Sequence, residues 1–109
     1  MLGGNGMEIK NKSQEKVTVV ADKKIDITNS QELKEELLDL IKQDYTEITI
    51  DFNQVESVDS SGLGKLLLIH KRLKEKNGAL KIINLNNEYV KKMFSMIHLN
   101  KVLDIEGIE

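Results

Sequence analysis

Residues 47–69 read EITIDFNQVESVDSSGLGKLLLI, and this stretch decides the fold. From Ile48 to Phe52, apolar and polar residues alternate, which predicts a β-strand with one buried face. Residues 53–59 show no helical period. Apolar residues then recur at helical spacing after Ser60, so we expect a helix to begin at the two serines. A strand joined by a short loop to an amphipathic helix is the repeating unit of an α/β fold.

The carboxyl-terminal side of this unit predicts three more elements. The Asn-Gly pair at 77–78 tolerates positive φ and ends the second helix, and residues 79–85 form the next strand. The asparagines at 86–87 offer an N-cap to a third helix that closes near residue 100. A last short strand is expected over residues 102–105. The third helix repeats its apolar residues at i, i+3, i+4 and i+7, namely Val90, Met93, Phe94 and Ile97.

The amino-terminal side predicts a hairpin and one helix. Residues 8–12 and 16–21 are separated by polar residues, and the second stretch is rich in valine, which favours strands. The helix that follows ends near Asp44. Two pairs fit the reciprocal capping box that would start it, Asn29 with Glu32 and Thr28 with Gln31. The apolar stripe of this helix consists of Leu33, Leu37, Leu40 and Ile41.

The order of these elements predicts an α/β fold in a single domain. Strands that alternate with helices of about a dozen residues form right-handed βαβ units, as is usual for parallel sheets. We therefore expect a mixed, mostly parallel sheet of about four to five strands with three main helices. The 109 residues suit one compact domain, and we assign residues 8–109 to it and residues 1–7 to a flexible leader.

Composition narrows the classes of function. Sixteen basic and 18 acidic residues leave a net charge of −2, which disfavours nucleic-acid binding. The absence of cysteine removes disulfides, thiolate metal sites and cysteine nucleophiles, and suits a reducing compartment. The longest aliphatic run, residues 66–69, is far too short to span a membrane, and no secretory signal is present. These features predict a cytoplasmic, soluble protein.

The sequence offers little for metal or nucleophilic chemistry. The two histidines, His70 and His98, lie on different predicted helices, and no carboxylate cluster has a calcium-loop spacing. We predict no metal and no cofactor, with His70 a partly buried structural side chain and His98 a favourable group at a helix carboxyl end. Neither a phosphate loop nor a nucleophile elbow is present. Three further side chains at helical spacing are expected to lie in the core, Met93, Phe94 and Met96.

The hexapeptide DSSGLG at residues 59–64 remains to be explained. One serine at the start of a helix is accounted for as an N-cap, with Ser60 or Ser61 in that role. Two glycines in the first helical turn cost about 1 kcal/mol each relative to alanine, so they call for a compensating purpose. Small residues leave the backbone open to another molecule, and a helix N-terminus favours an added phosphate. The hexapeptide therefore favours a serine that is regulated by phosphorylation.

With its setting, this hexapeptide resembles the STAS family, and specifically the bacterial anti-sigma factor antagonists. The likeness extends over residues 8–105 and includes Ile25-Asp26-Ile27 ahead of a capped helix and the segment LNKV at residues 99–102. In that family the first serine of the motif is phosphorylated by a serine kinase that is also the anti-sigma factor. That serine corresponds to Ser60.

The resemblance implies a mechanism and partners. The unphosphorylated protein would bind the anti-sigma factor and release its sigma factor, phosphorylation would end that binding, and a serine phosphatase would restore it. The protein would have no enzymatic activity. Independently of the resemblance, we predict a monomer or a weak dimer. Around Ser60, the expected contact surface consists of Asp26, Asp59, Ser61, Gly62, Leu63 and Gly64.

Two departures from the family pattern bear on these expectations. Lys23 stands three residues before Asp26, where many members have glycine, which is expected to reshape the partner surface. The chain stops at Glu109 without room for the final helix common in the family, so the fold is either shorter or exposes apolar sheet area that a partner or a second copy covers.

Two other functions remain open at this point. The protein could be a STAS scaffold or sensor subunit of a transport, lipid-trafficking or signalling complex, with serines that only start a helix. It could also be a small enzyme with Ser60 as nucleophile, provided that the fold brings His70 or His98 close to it.

Overall fold

A computed structural model describes residues 8–12 and 15–107. The predicted leader at residues 1–7 lies outside this range. In chain order the elements are β1 (Glu8–Lys12), β2 (Lys16–Val20), β3 (Lys24–Ile25), α1 (Ser30–Lys42), β4 (Glu47–Asp51), β5 (Ser57–Val58), α2 (Ser60–Glu75), β6 (Ala79–Ile83), α3 (Glu88–Met96), a 3-10 turn (Leu99–Lys101) and β7 (Asp104–Ile105).

The main sheet has five strands in the order β1-β2-β4-β6-β7. β1 runs antiparallel to β2, and the other three neighbouring pairs are parallel. The predicted α/β class, the mixed sheet and the three main helices are therefore confirmed. β6 ends at Ile83 and not at the predicted residue 85, because Asn84 has a φ of 56° and leaves the strand conformation.

β3 and β5 form a second, two-stranded parallel sheet that the sequence did not predict. Lys24 is in register with Ser57, and Ile25 with Val58. Each strand has only two residues, which is too short for a periodic pattern to emerge. This small sheet matters for function because it joins the segment before α1 to the segment before α2.

One face of the main sheet forms the core with the helices. Its strands contribute alternate buried residues, and Phe52 packs against Phe94 of α3 with ring centroids 6.1 Å apart. The stripe predicted for α1 is buried as expected. The core-facing side chains of the three central strands are Val17, Val19, Ile48, Ile50, Leu80 and Ile82.

The start of α1 differs from the prediction. Asn29 occupies the N-cap position, but no side chain caps the helix there. The Asn29 side chain accepts a hydrogen bond from the Asp26 backbone N–H and donates one to the Lys24 carbonyl. Thr28 donates its hydroxyl hydrogen bond to Asp26. The predicted capping box is thus replaced by a turn whose side chains bond backward along the chain.

The end of α3 also differs. Val90 and Phe94 are buried and Met93 packs against the core, but Met96 is 72% exposed. The prediction of Met96 as a core residue is wrong because Met96 lies about 200° around the helix from Phe94, at about 100° per residue. The helix ends at Met96 and not near residue 100, since His98 has a φ of 58° and turns the chain.

Asp51 is a buried carboxylate on the opposite face of the sheet, with 3% of its surface exposed. It pairs with Lys10 of β1 and accepts hydrogen bonds from the Asn53 backbone N–H and the Asn84 side chain. Burial alone would raise the pKa of Asp51, but these contacts outweigh burial and hold it below its ordinary value. The pair ties β1 to β4 across β2.

Glu36 on α1 is expected to make the stability of the protein depend on pH. One of its carboxylate oxygens is buried with no hydrogen-bond partner, and burial, followed by the nearby Glu32 and Asp22, raises the pKa of Glu36 above 4.5. The folded state therefore binds this proton more tightly than the unfolded state, and stability falls as pH rises through the raised pKa.

We expect Glu36→Gln to raise the thermal midpoint at pH 7 and to lose that advantage below pH 4.5, the ordinary value for this carboxyl. Thermal unfolding of both proteins across this pH range measures the difference. Glu35→Gln on the exposed surface of α1 is the matched control for removing one negative charge. A pH-independent difference between Glu36→Gln and the native protein would contradict the argument.

Candidate functional site

The small sheet of β3 and β5 positions the DSSGLG hexapeptide. β5 ends at Val58, and the next residue, Asp59, donates its backbone N–H to the Ile25 carbonyl at 3.0 Å. α2 begins at Ser60 directly beyond this bond. The hexapeptide therefore starts beside the turn that leads from β3 into α1.

Asp59 joins the start of α2 to that turn. One carboxylate oxygen accepts the Gly62 backbone N–H at 2.9 Å, and the other accepts the Ile27 backbone N–H at 3.0 Å. The N-cap of α2 is thus Asp59, and the prediction of Ser60 or Ser61 in that role is wrong. Aspartate is as good an N-cap as serine, and its negative charge is also favoured by the helix dipole.

This arrangement leaves the two serines in the first turn of the helix. Ser60 is exposed, and Ser61 is half-buried. Neither is needed to cap the helix, because Asp59 fulfils that requirement. The Ser60 hydroxyl thus stands at the surface on the positive end of the α2 dipole, next to the carboxylate of Asp59.

The two glycines of the hexapeptide differ in the space around them. A Cβ on Gly62 would lie 2.5 Å from the Ile25 carbonyl oxygen and 2.6 Å from its Cγ2, so the space beside Gly62 is filled by the protein itself. A Cβ on Gly64 would have no heavy atom within 4 Å. The expectation that both glycines leave the backbone open to another molecule is therefore wrong for Gly62. Only Gly64 lacks an explanation within the fold.

Asp26 shapes the turn that faces Asp59. Its carboxylate accepts hydrogen bonds from the hydroxyl and the backbone N–H of Thr28, and these two bonds hold the pKa of Asp26 below its ordinary value. Its backbone carbonyl accepts from Ser30 at 2.7 Å. Of the predicted contact residues, Asp26 and the hexapeptide are therefore brought together around one turn. Leu63 is half-buried and packs against the core.

Ile27 lies on this surface but was not among the predicted contact residues. Ile27 is 76% exposed, and its backbone N–H donates to the Asp59 carboxylate. One feature of the sequence could have identified Ile27 as a surface residue. This isoleucine lies between Asp26 and the polar residues that precede α1, and it belongs to no periodic apolar stripe. It places an exposed apolar side chain next to the start of α2.

A hollow of about 430 Å³ lies beside this turn and is bordered by Asp26, Lys23, Lys24 and Gln54 among others. The backbone carbonyl of Lys23 accepts a hydrogen bond from the Glu56 backbone N–H at 2.7 Å. Its φ is not positive, so the backbone at this position does not require glycine.

His70 lies too far along α2 to act as a base for Ser60. His70 follows Ser60 by ten residues on the same helix, which is a separation of about 15 Å. Its buried Nδ1 has no hydrogen-bond partner, and burial, with a smaller effect of Lys74, lowers the pKa of His70. It is thus the partly buried side chain that the sequence predicted. His98 is exposed just beyond α3.

Within residues 8–12 and 15–107, no three histidine, aspartate or glutamate side chains are grouped so that they could hold a metal ion. No helix in the same ranges is long and apolar enough to cross a membrane.

Known proteins share this architecture. The anti-sigma-B factor antagonist of Bacillus subtilis (strain 168) is 30% identical over 83 residues, which cover 76% of this chain and 74% of that protein. An anti-sigma factor antagonist from Mycobacterium paratuberculosis superposes with a TM-score of 0.78 at 15% identity, covering 98% of this chain and 91% of the other. The Bacillus cell fate determinant SpoIIAA in its phosphorylated form gives a TM-score of 0.71 at 20% identity, with 92% and 90% covered.

The relative from Bacillus subtilis is named as a regulator, which supports the prediction that this protein is not an enzyme. The family model of the STAS domain matches residues 8–107. That match includes every element from β1 to β7 and the DSSGLG hexapeptide. The chain therefore belongs to the STAS domain family, as the resemblance of its sequence predicted.

Proposed function

We propose that this protein is an anti-sigma factor antagonist controlled by phosphorylation of Ser60. In this proposal the unphosphorylated form binds an anti-sigma factor that is also a serine kinase, and thereby releases a sigma factor in the cytoplasm. Phosphorylation of Ser60 ends the binding, and a serine phosphatase restores it. The similarity to the anti-sigma-B factor antagonist of Bacillus subtilis supports this function.

The observation that carries the proposal is the position of Ser60. The residue is exposed and not used as a helix cap, so a kinase can reach its hydroxyl without unfolding α2. A phosphate would add about two negative charges at pH 7 next to the Asp59 carboxylate. A partner surface that accepts the neutral serine would then meet two neighbouring anionic groups, which favours dissociation.

The geometry also favours Ser60 over Ser61 as the modified residue. Ser61 is half-buried, and the next residue, Gly62, is in contact with Ile25. A kinase therefore reaches the hydroxyl of Ser61 less readily than that of Ser60.

The test is to map phosphorylation sites on the protein isolated from its native cells with phosphatases inhibited, in growing and in stressed cultures. We expect phosphate on Ser60, with an occupancy that changes between conditions, and none on Ser61. An unmodified Ser60 in every culture would favour the alternative of a STAS scaffold or sensor subunit, in which the serines belong only to the first helical turn.

A further inference from the structure

One exposed stripe of α2 begins at Ser60. Counting along the helix, Ser60, Gly64, Leu67 and Lys71 are spaced at i, i+4, i+7 and i+11, which places them on one face. Ser60, Gly64 and Lys71 are exposed, and Leu67 is 38% exposed. The opposite face packs on the core through Gly62, Leu66, Ile69 and Leu73. We call the exposed stripe the α2 stripe.

The packing of the fold does not explain two residues of the α2 stripe, Gly64 and Leu67. A glycine inside a helix costs about 1 kcal/mol relative to alanine, and a Cβ on Gly64 would meet nothing. Leu67 is 38% exposed, although the neighbouring leucine, Leu66, is fully buried. A missing side chain and an exposed apolar one are both useful where another molecule approaches the helix closely.

The charge of α2 indicates that a molecule bound to the α2 stripe carries acidic groups. Residues 60–76 contain five basic residues and one acidic residue, whereas the whole chain has a net charge of −2. Lys71 extends the α2 stripe directly, and Lys74 is exposed one turn further on. This positive end begins about three turns from Ser60, so a surface that covers both would gain from carboxylates near the lysines.

We propose that the α2 stripe is a docking surface that reaches two to three turns beyond Ser60 and receives an apolar side chain flanked by acidic residues on the anti-sigma factor. Gly64 allows the partner to come close to the helix, Leu67 packs against its apolar side chain, and Lys71 pairs with its carboxylates. This inference rests on the proposed function and adds to it the residues and the partner chemistry that determine specificity.

Binding of the purified serine-kinase anti-sigma factor from the same genome, measured by surface plasmon resonance at two salt concentrations, tests the inference. We expect Leu67→Ser and Gly64→Ala each to weaken binding about tenfold or more. We expect Lys71→Glu to slow association several-fold and to reduce its dependence on salt. Matched controls on the exposed face of α3, Met96→Ser and Lys92→Glu, are expected to bind like the native protein.

The outcomes separate this inference from the function on which it rests. If the native protein binds, Ser60→Asp binds weakly and the three α2 variants bind normally, then the inference is overturned and the proposed function stands. If the native protein does not bind the anti-sigma factor, both are overturned. The inference is also overturned if the α2 stripe instead mediates self-association, measured by sedimentation, or binding to anionic phospholipid vesicles. Thermal midpoints of all variants identify any loss that comes from unfolding.

Discussion

Ser60→Asp is expected to bind the anti-sigma factor at least tenfold more weakly than the native protein, which corresponds to about 1.4 kcal/mol. The substitution places a permanent negative charge at the start of α2, next to the Asp59 carboxylate that already accepts the Gly62 N–H. The partner must then cover two carboxylates where it covered one carboxylate and a hydroxyl. Isothermal titration calorimetry with purified proteins measures the difference.

Ser60→Ala is the matched control. It removes the hydroxyl that accepts phosphate but adds no charge, and the hydroxyl is not the N-cap of the helix. We therefore expect it to keep the native affinity while resisting phosphorylation by the kinase. Folding offers a second control, because an aspartate in the first turn of a helix is favoured by the dipole and should not lower the thermal midpoint. Equal affinities of the two variants would count against the switch.

Gly62→Ala is expected to destabilise the protein by about 1–3 kcal/mol, which is the usual cost of forcing an extra methyl group into a packed site. The new Cβ would lie 2.5 Å from a backbone oxygen of Ile25, and a backbone atom moves less readily than the end of a side chain. Either α2 or β3 must shift. At about 4–8 °C per kcal/mol, the loss is readily seen in thermal unfolding.

Gly64→Ala, two residues away in the same helical turn, provides the contrast. Its Cβ would enter open space, and alanine favours the helix by about 1 kcal/mol, so we expect a neutral or raised thermal midpoint. The two variants make the same chemical change in the same hexapeptide with opposite expected signs. Similar destabilisation by both would show that the approach of α2 to Ile25 is not what requires glycine.

Local patterns predicted most of the fold. The alternation in β4, the leucine stripe of α1 and the asparagine that caps α3 each depend on residues that are close in sequence, and all three are found. The predictions that went wrong concern ends of elements. Met96 continues the helical run of α3 but faces outward, and the residues before α1 form backward hydrogen bonds in preference to a capping box.

The candidate site was predictable only in part, because its key contacts join distant residues. Asp59 accepts from Ile27, which is 32 positions away, and this bond holds one oxygen of the carboxylate whose other oxygen caps α2. The two-residue strands β3 and β5 that make the bond possible carry no periodic signal.

The amino-acid sequence by itself determined the order of strands and helices, the parallel sheet and the serine at the start of α2, since periodicity and turn residues act over a few positions. Only the tertiary structure decided which polar group caps that helix, which glycine is required by packing and which side chains remain exposed beside Ser60. Those properties depend on which residues are in contact in the folded protein. The Ile25 backbone occupies the space beside Gly62 and leaves the space beside Gly64 open, although the sequence presents the two glycines alike.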